Sequence, residues 1–259
     1  MAAKPKIAVH KFSSCDGCQL AFLNMGEALI TLSQRVDIIH FAEAGPVDET
    51  TPVDIAFVEG SIATSHDYQR IEQIRNNSRY LVSIGACATS GGIQALRNLA
   101  DTEQWTAAIY AHPEHIHSLD KSTPIAQHVK VDYELWGCPI STKQLLTVVG
   151  SLLSGAQPVV EDDKLCMECK RQQKICVMVS KGEPCMGPVT RSGCGALCPA
   201  MGRACYACYG PAENTNANAL FTRIEGLGLL NDETTRRFLF INSGAREFHD
   251  AGIEGNRKK

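Results

Sequence analysis

Residues 6–22 read KIAVHKFSSCDGCQLAF. A short β-branched, apolar run breaks into two cysteines spaced CxxC, and an apolar segment of helical character follows. That order is the signature of a βα unit whose strand is buried on both faces, as strands of parallel sheets are. The pattern recurs along the first 155 or so residues. VDIIHF (36–41), VDIAFVEG (53–60), YLVSIGAC (80–87) and VDYELWGCP (131–139) read as further strands, with helices expected at 18–32, 66–76, 91–100 and 141–153. In DYQRIEQIRNN, Tyr68, Ile71 and Ile74 fall at three-residue spacing and give one apolar face to lie on a sheet. The expected fold is an open, doubly wound α/β domain, in which ligands gather beyond the carboxyl ends of the strands. Residues 101–130 form a longer excursion whose His112, His115 and His117 read as surface or loop residues.

Four cysteines stand at strand ends. Cys15 and Cys18 follow the first strand, Cys87 the fourth and Cys138 the last. In a parallel sheet these positions come to one edge, so the fold itself would assemble four thiols. Four thiolates suit a tetrahedral zinc ion or a [4Fe–4S] cluster. A structural zinc usually staples a small domain through compact knuckles, whereas these ligands come singly from separate strands of a domain large enough to need no staple. Iron–sulfur is therefore favoured, and Gly17, Gly85 and Gly137 would let backbone N–H groups approach cluster sulfides. Glu59 ends an apolar strand at the same edge. It reads either as a proton or interface residue or as a helix cap or solvated loop acid ahead of GSIATSHD.

The other eight of the twelve cysteines lie between residues 166 and 208. Cys166, Cys169, Cys176 and Cys185 make one consecutive group of four; Cys194, Cys198, Cys205 and Cys208 make a second. Each is complete for one cluster, although crossed assignment as in two-cluster ferredoxins stays open. This stretch is dense in Cys, Gly and Pro and lacks long periodicity, so its order is expected to come from bound inorganic centres. The division is placed at 1–158 for the α/β domain and 159–259 for a mostly irregular iron–sulfur domain. Short helices are expected near 216–226 and 232–240, with a polar tail EGNRKK.

Composition narrows the function. A net charge of −3 with no concentrated Lys/Arg stripe gives no nucleic-acid surface. No run of 18 apolar residues reads as a membrane span, and the amino terminus enters a strand without a signal or twin-arginine leader. A cytoplasmic location is expected, and in a reducing compartment CxxC-type groups serve as metal or cluster ligands more often than as disulfides. GxGxxG after a strand, GxxxxGK[ST] and a Ser/His/Asp set are all absent. Three clusters without other chemistry describe an electron wire rather than a reaction site. The rival of a different class is a scaffold stabilised by zinc at each four-cysteine group.

SSCDGCQLAF, VEGSI, GACAT, GCP, CMGPVTRSGCGALCP and CYACYGP together resemble the small, electron-transfer subunit of [NiFe] hydrogenases, specifically the delta subunit of the cytoplasmic multisubunit sulfhydrogenase or NAD(P)-linked type. The resemblance spans residues 6 to about 211. It implies a flavodoxin-like first domain holding a proximal [4Fe–4S] cluster on Cys15, Cys18, Cys87 and Cys138. It likewise implies a distal cluster on Cys166, Cys169, Cys176 and Cys185, and a medial one on Cys194, Cys198, Cys205 and Cys208. Glu59 matches the family's acidic residue beside the proximal cluster and large-subunit interface. The implied partners are a nickel–iron large subunit, a flavin and NAD(P)-binding subunit and a further iron–sulfur subunit, together an H2:NAD(P)+ oxidoreductase. Ferredoxin, heterodisulfide reductase or a deazaflavin enzyme are alternative acceptors. Periplasmic and membrane-bound relatives often carry a distal histidine where Cys166 stands, and a three-iron medial cluster with a proline in place of one ligand. The respiratory quinone-reductase relative, similar in its first domain, typically has adjacent cysteines where Cys15 and Cys18 are separated.

Overall fold

The structure, a computed structural model, describes residues 3–257. The chain forms two compact units that divide between Val159 and Val160.

In the first unit a five-stranded sheet runs β1 (Lys6–Lys11), β2 (Asp37–Phe41), β3 (Val53–Glu59), β4 (Ser78–Ile84) and β5 (Tyr133–Leu135). Every pairing is parallel and the spatial order is β2-β1-β3-β4-β5. That order is the flavodoxin-type doubly wound arrangement. The helices are α1 (Gly17–Leu23), α2 (Glu27–Arg35), α3 (Ser65–Asn76), α4 (Gly85–Ser90), α5 (Thr102–Ile109) and α6 (Thr142–Leu153). The central strands are buried on both faces: Ile55, Ala56, Phe57 and Val58 of β3 and Leu81, Val82 and Ile84 of β4 have almost no exposed surface. One core brings Ala8, Ala56, Val58 and Leu81 together with Ile71 and Ile74 of α3. The three-residue spacing read in the sequence therefore does face the sheet. The start of α3 is fixed by a capping box in which Thr64 accepts from the Asp67 N–H and Asp67 accepts in return.

Three expected elements differ. The helix placed over 18–32 is two helices, because Gly26 takes φ +58° between α1 and α2, a conformation outside the helical region. The segment placed at 91–100 is a 3-10 helix over Gly92–Leu99, entered through left-handed Gly91 and Gly92. The fifth strand has three residues, since Gly137 at φ +151° and Pro139, which lacks an N–H, end its ladder early. Within the 101–130 excursion, α5 exposes Trp105 and Ile109, and the side chains of His112 and His115 are about three-quarters exposed as expected of surface residues.

The second unit contains α7 (Leu165–Arg171), α8 (Val177–Lys181), α9 (Leu197–Ala200), α10 (Ala217–Glu225), α11 (Asn231–Phe238) and α12 (Arg246–Arg257). Its cysteine-bearing stretch holds only short helices joined by turns and isolated bridges, Lys164 with Arg191 and Thr190 with Pro211. The last three helices enclose an aromatic core in which Phe238 lies 5.4 Å from Phe221 and 6.1 Å from Phe248. The helix α12 has no counterpart in the sequence reading, which placed only a polar tail over 254–259, the end of this helix and beyond; Lys258 and Lys259 of that tail lie outside the described residues. Its sequence disguises it because Gly252 and Gly255 lower helix propensity. Both pack closely: a Cβ on Gly255 would overlap the Phe221 ring, and one on Gly252 would come 2.6 Å from Leu239 Cγ. Among the described residues, no helix is long and apolar enough to cross a membrane.

Candidate metal centres

None of the twelve cysteines is in a disulfide. In the first unit, Cys15, Cys18, Cys87 and Cys138 converge at the carboxyl edge of the sheet, as their positions after β1, β4 and β5 require. The loop after β1 is held by backbone bonds from Phe12 N–H to the Glu59 carbonyl (2.7 Å) and between Ser13 and Ser61. It turns at Asp16, left-handed at φ 66°, whose carboxylate pairs with Lys11 Nζ at 2.6 Å and accepts from Ser14 Oγ at 3.2 Å. The ends of β4 and β5 are joined by the Ala86 N–H donating to the Gly137 carbonyl at 2.7 Å.

Two glycines leave the sulfurs their space. A Cβ on Gly85, at φ +84°, would overlap Cys18 Sγ, and one on Gly92, at φ +57°, would sit 2.7 Å from Cys87 Sγ. Gly85 stands where the sequence reading singled it out; Gly92 does not figure there, since its need arises from a turn beyond the GACAT motif. The edge is open to solvent on one side, for Cys15 is exposed and Cys18 is buried. Burial, then Glu59 and the neighbouring Cys138 and Cys87, push the Cys18 thiol far up. Burial, then Cys138 and Cys15, push Cys87 up to about 12. Cys138 is raised for the same reasons, by burial and then by Cys15 and Glu59. Thiols crowded and desolvated in this way gain most from a bound cation, which converts them to thiolate ligands.

Glu59 is 2% exposed, and its carboxylate accepts the backbone N–H groups of Cys18 (3.0 Å) and Gln19 (3.2 Å). It thus satisfies first-turn donors of α1 from a distant strand and fixes the backbone that carries Cys18. Burial raises its pKa against the opposing pull of those two N–H groups.

In the second unit, α7 places Cys166 and Cys169 at three-residue spacing on one face. Cys176 precedes α8, and Cys185 is buried. A Cβ on Gly187 would touch both Cys185 Sγ at 3.4 Å and Cys166 Sγ at 3.5 Å, so those two sulfurs flank one glycine. The Cys169 thiol is pushed up to about 11 by burial and then by Cys166, Cys185 and Cys176. The second group is less clearly gathered. Burial raises the Cys194 thiol, with Glu168 and Cys198 adding, and burial raises the buried Cys205 thiol, with Cys185 and Cys208 adding. Its N–H points at Cys185 Sγ (3.3 Å), and its own sulfur accepts from the Ala207 N–H at 3.3 Å. Asn242, from the carboxyl-terminal helical region, donates to the Ala207 carbonyl at 2.7 Å and holds that turn.

A residue absent from the sequence reading organises this region. Glu168, between Cys166 and Cys169 on α7, accepts the N–H groups of Gly193 (3.3 Å), Gly195 (3.0 Å) and Ala196 (3.1 Å), the loop that carries Cys194. Its only sequence signal is an acid inside CMEC. Glu168→Ala removes three charge-assisted bonds from a partly exposed site and is expected to cost about 2 kcal/mol, read as a lower denaturation midpoint.

Among the described residues, the group of three His, Cys, Asp or Glu side chains placed to share one ion is His10, His40 and Glu49, whose ligand atoms lie within 4.8 Å of one another.

The first unit is a flavodoxin-type sheet with Cys15, Cys18, Cys87 and Cys138 following the carboxyl ends of its strands. The family model for the NADH ubiquinone oxidoreductase 20 kDa subunit matches residues 15–152, and the chain belongs to this family. Along most of its length it is homologous to small, delta-type subunits of hydrogenases. Sulfhydrogenase 2 subunit delta of Pyrococcus furiosus is 31% identical over 90% of this chain and 97% of that protein. A subunit of the F420-non-reducing hydrogenase vhu of Methanocaldococcus jannaschii is 28% identical over 81% of this chain and 83% of that one. The crystal structure of an NAD+-reducing [NiFe]-hydrogenase in the H2-reduced state contains a chain 27% identical, with a TM-score of 0.56, that aligns over 61% of this chain and 95% of its own.

Proposed function

We propose that this chain is the electron-transfer small subunit of a cytoplasmic [NiFe] hydrogenase. In this reading it carries three [4Fe–4S] clusters: proximal on Cys15, Cys18, Cys87 and Cys138, distal on Cys166, Cys169, Cys176 and Cys185, and medial on Cys194, Cys198, Cys205 and Cys208. H2 activation belongs to the nickel–iron centre of a partner large subunit, and electrons leave through a flavin and iron–sulfur partner that serves NAD(P). The observation that carries the reading is the convergence of four thiols from three strand ends, with Gly85 and Gly92 leaving room at their sulfurs.

The origin of the ligands favours a cluster over one ion: they come from separate strand ends of a domain large enough to need no metal staple, not from compact knuckles. When bound, the clusters supply one-electron steps whose potentials follow ligation and nearby backbone donors. The chain's own residues position them: Glu59 fixes the Cys18 backbone, the Lys11–Asp16 pair closes the loop between Cys15 and Cys18, and Glu168 fixes the loop of Cys194.

A second acceptor is favoured by one observation. The NAD+-reducing relative of known structure aligns over 61% of this chain, whereas the sulfhydrogenase and F420-non-reducing relatives align over 90% and 81%. An acceptor other than NAD(P), such as ferredoxin or heterodisulfide reductase, is therefore the alternative within the same reading.

The test is anaerobic purification through a tag on this chain, followed by exposure to H2. A nickel-containing large subunit should co-purify, and H2 should bleach the iron–sulfur absorbance. A chain recovered without a nickel protein, whose absorbance H2 leaves unchanged, would remove the hydrogenase assignment.

A further inference from the structure

Outside the cysteine groups, the first unit buries two histidines side by side. His40 on β2 pairs in register with Ala8 on β1, and His10 stands two residues further along β1, so the two rings lie diagonally on one face of adjacent strands. Ala8 belongs to the core that contains Ile71 and Ile74 of α3, so this is the face α3 covers. His10 is 3% and His40 1% exposed, and their rings stack at 4.4 Å between centroids. His10 Nδ1 and both ring nitrogens of His40 are buried with no hydrogen-bond partner. Three unpaired ring nitrogens in a protein interior are costly and call for an explanation.

Glu49, in the loop after β2, completes the group. One ligand atom from each of His10, His40 and Glu49 lies within 4.8 Å of the others, and Glu49 Oε1 is 3.8 Å from His40 Nε2. Burial lowers the pKa of His40 against the opposing pull of Glu49, and pushes His10 down to about 3. Neutral imidazoles keep a lone pair for a metal. Arg70 on α3 orients the carboxylate, with Nη2 at 2.7 Å and Nε at 3.0 Å from Glu49 Oε1. Its charge also opposes a cation, which moderates affinity. Lys11, the other nearby cation, is held by Asp16 and Glu43.

We propose that His10, His40 and Glu49 bind a divalent first-row transition ion of the zinc class, at a site separate from the twelve cysteines. Two imidazoles and one carboxylate form a donor set suited to zinc, with a remaining position for water. The ion would satisfy buried ring nitrogens and tie the loop that carries Glu49, together with the edge strand β2, to β1. It is a structural role, independent of whether the clusters carry electrons.

The experiment uses the full chain with its clusters loaded, equilibrated anaerobically with zinc and then freed of excess ion. Zinc, iron and sulfide are determined in the wild type, His40→Gln and Glu49→Gln, and the zinc environment is read by X-ray absorption. The wild type should retain zinc ligated by nitrogen and oxygen without sulfur. His40→Gln should lose it, and Glu49→Gln, a change at a half-exposed side chain that leaves the core intact, should weaken it about 10-fold or more. Iron and sulfide should be the same in all three. Equal zinc in wild type and both variants, sulfur in the zinc environment, or no retained zinc would each overturn the assignment.

Discussion

Gly85→Ala is expected to strip the first unit of its cluster, lowering iron by about four atoms per chain while the eight-cysteine unit keeps its own. Two effects combine at this position. Its φ of +84° lies where a side chain is strained by roughly 1–3 kcal/mol, and the added methyl would occupy the place of Cys18 Sγ. Cys18 is buried and its backbone is pinned by Glu59, so the sulfur has little room to retreat. The loss should appear in iron analysis and in the disappearance of one cluster signal by electron paramagnetic resonance. Full iron content in this variant would show that Cys18 does not ligate where the fold places it.

The second large effect is expected at Glu59. Glu59→Leu leaves two buried N–H groups, of Cys18 and Gln19, without their acceptor. At about 1–3 kcal/mol for each orphaned group, the cost is about 3 kcal/mol or more, which for a unit of this size lowers the melting temperature by about 6–12 °C. Glu59→Gln keeps an acceptor oxygen and should lose much less. The pair of variants also separates positioning from proton transfer. A positioning residue gives Glu59→Gln near-normal cluster content and near-normal H2-dependent reduction. A proton carrier gives full cluster content with reduction lost.

The first unit's fold was legible because each strand is a short Val/Ile-rich run with its functional residue immediately after it. Cys15, Cys87 and Cys138 all sit at such an ending, so a parallel sheet brings them together without further information. Glu59 was legible as an acid at that edge, but its partners were not. The N–H groups it accepts are main-chain atoms and leave no mark on the sequence. The same holds for Glu168, whose three donors lie 25 to 28 residues further along the chain. The α12 helix was hidden by Gly252 and Gly255, which look like helix breakers and instead admit Leu239 and Phe221. His10 and His40 were hidden differently: each is a lone histidine in an apolar strand, and only the pairing register, which shifts between Ile7 and Ala8, sets them side by side.

The central claim is that the cysteine groups hold iron–sulfur clusters. It is tested most directly by determining iron, acid-labile sulfide and zinc together in anaerobically purified protein, with zinc counted again in the His40→Gln variant to remove the histidine site. Three cubanes require about 12 iron and about 12 sulfide per chain. About 3 zinc at the thiols with no sulfide would contradict the electron-transfer role and leave a zinc-stabilised scaffold.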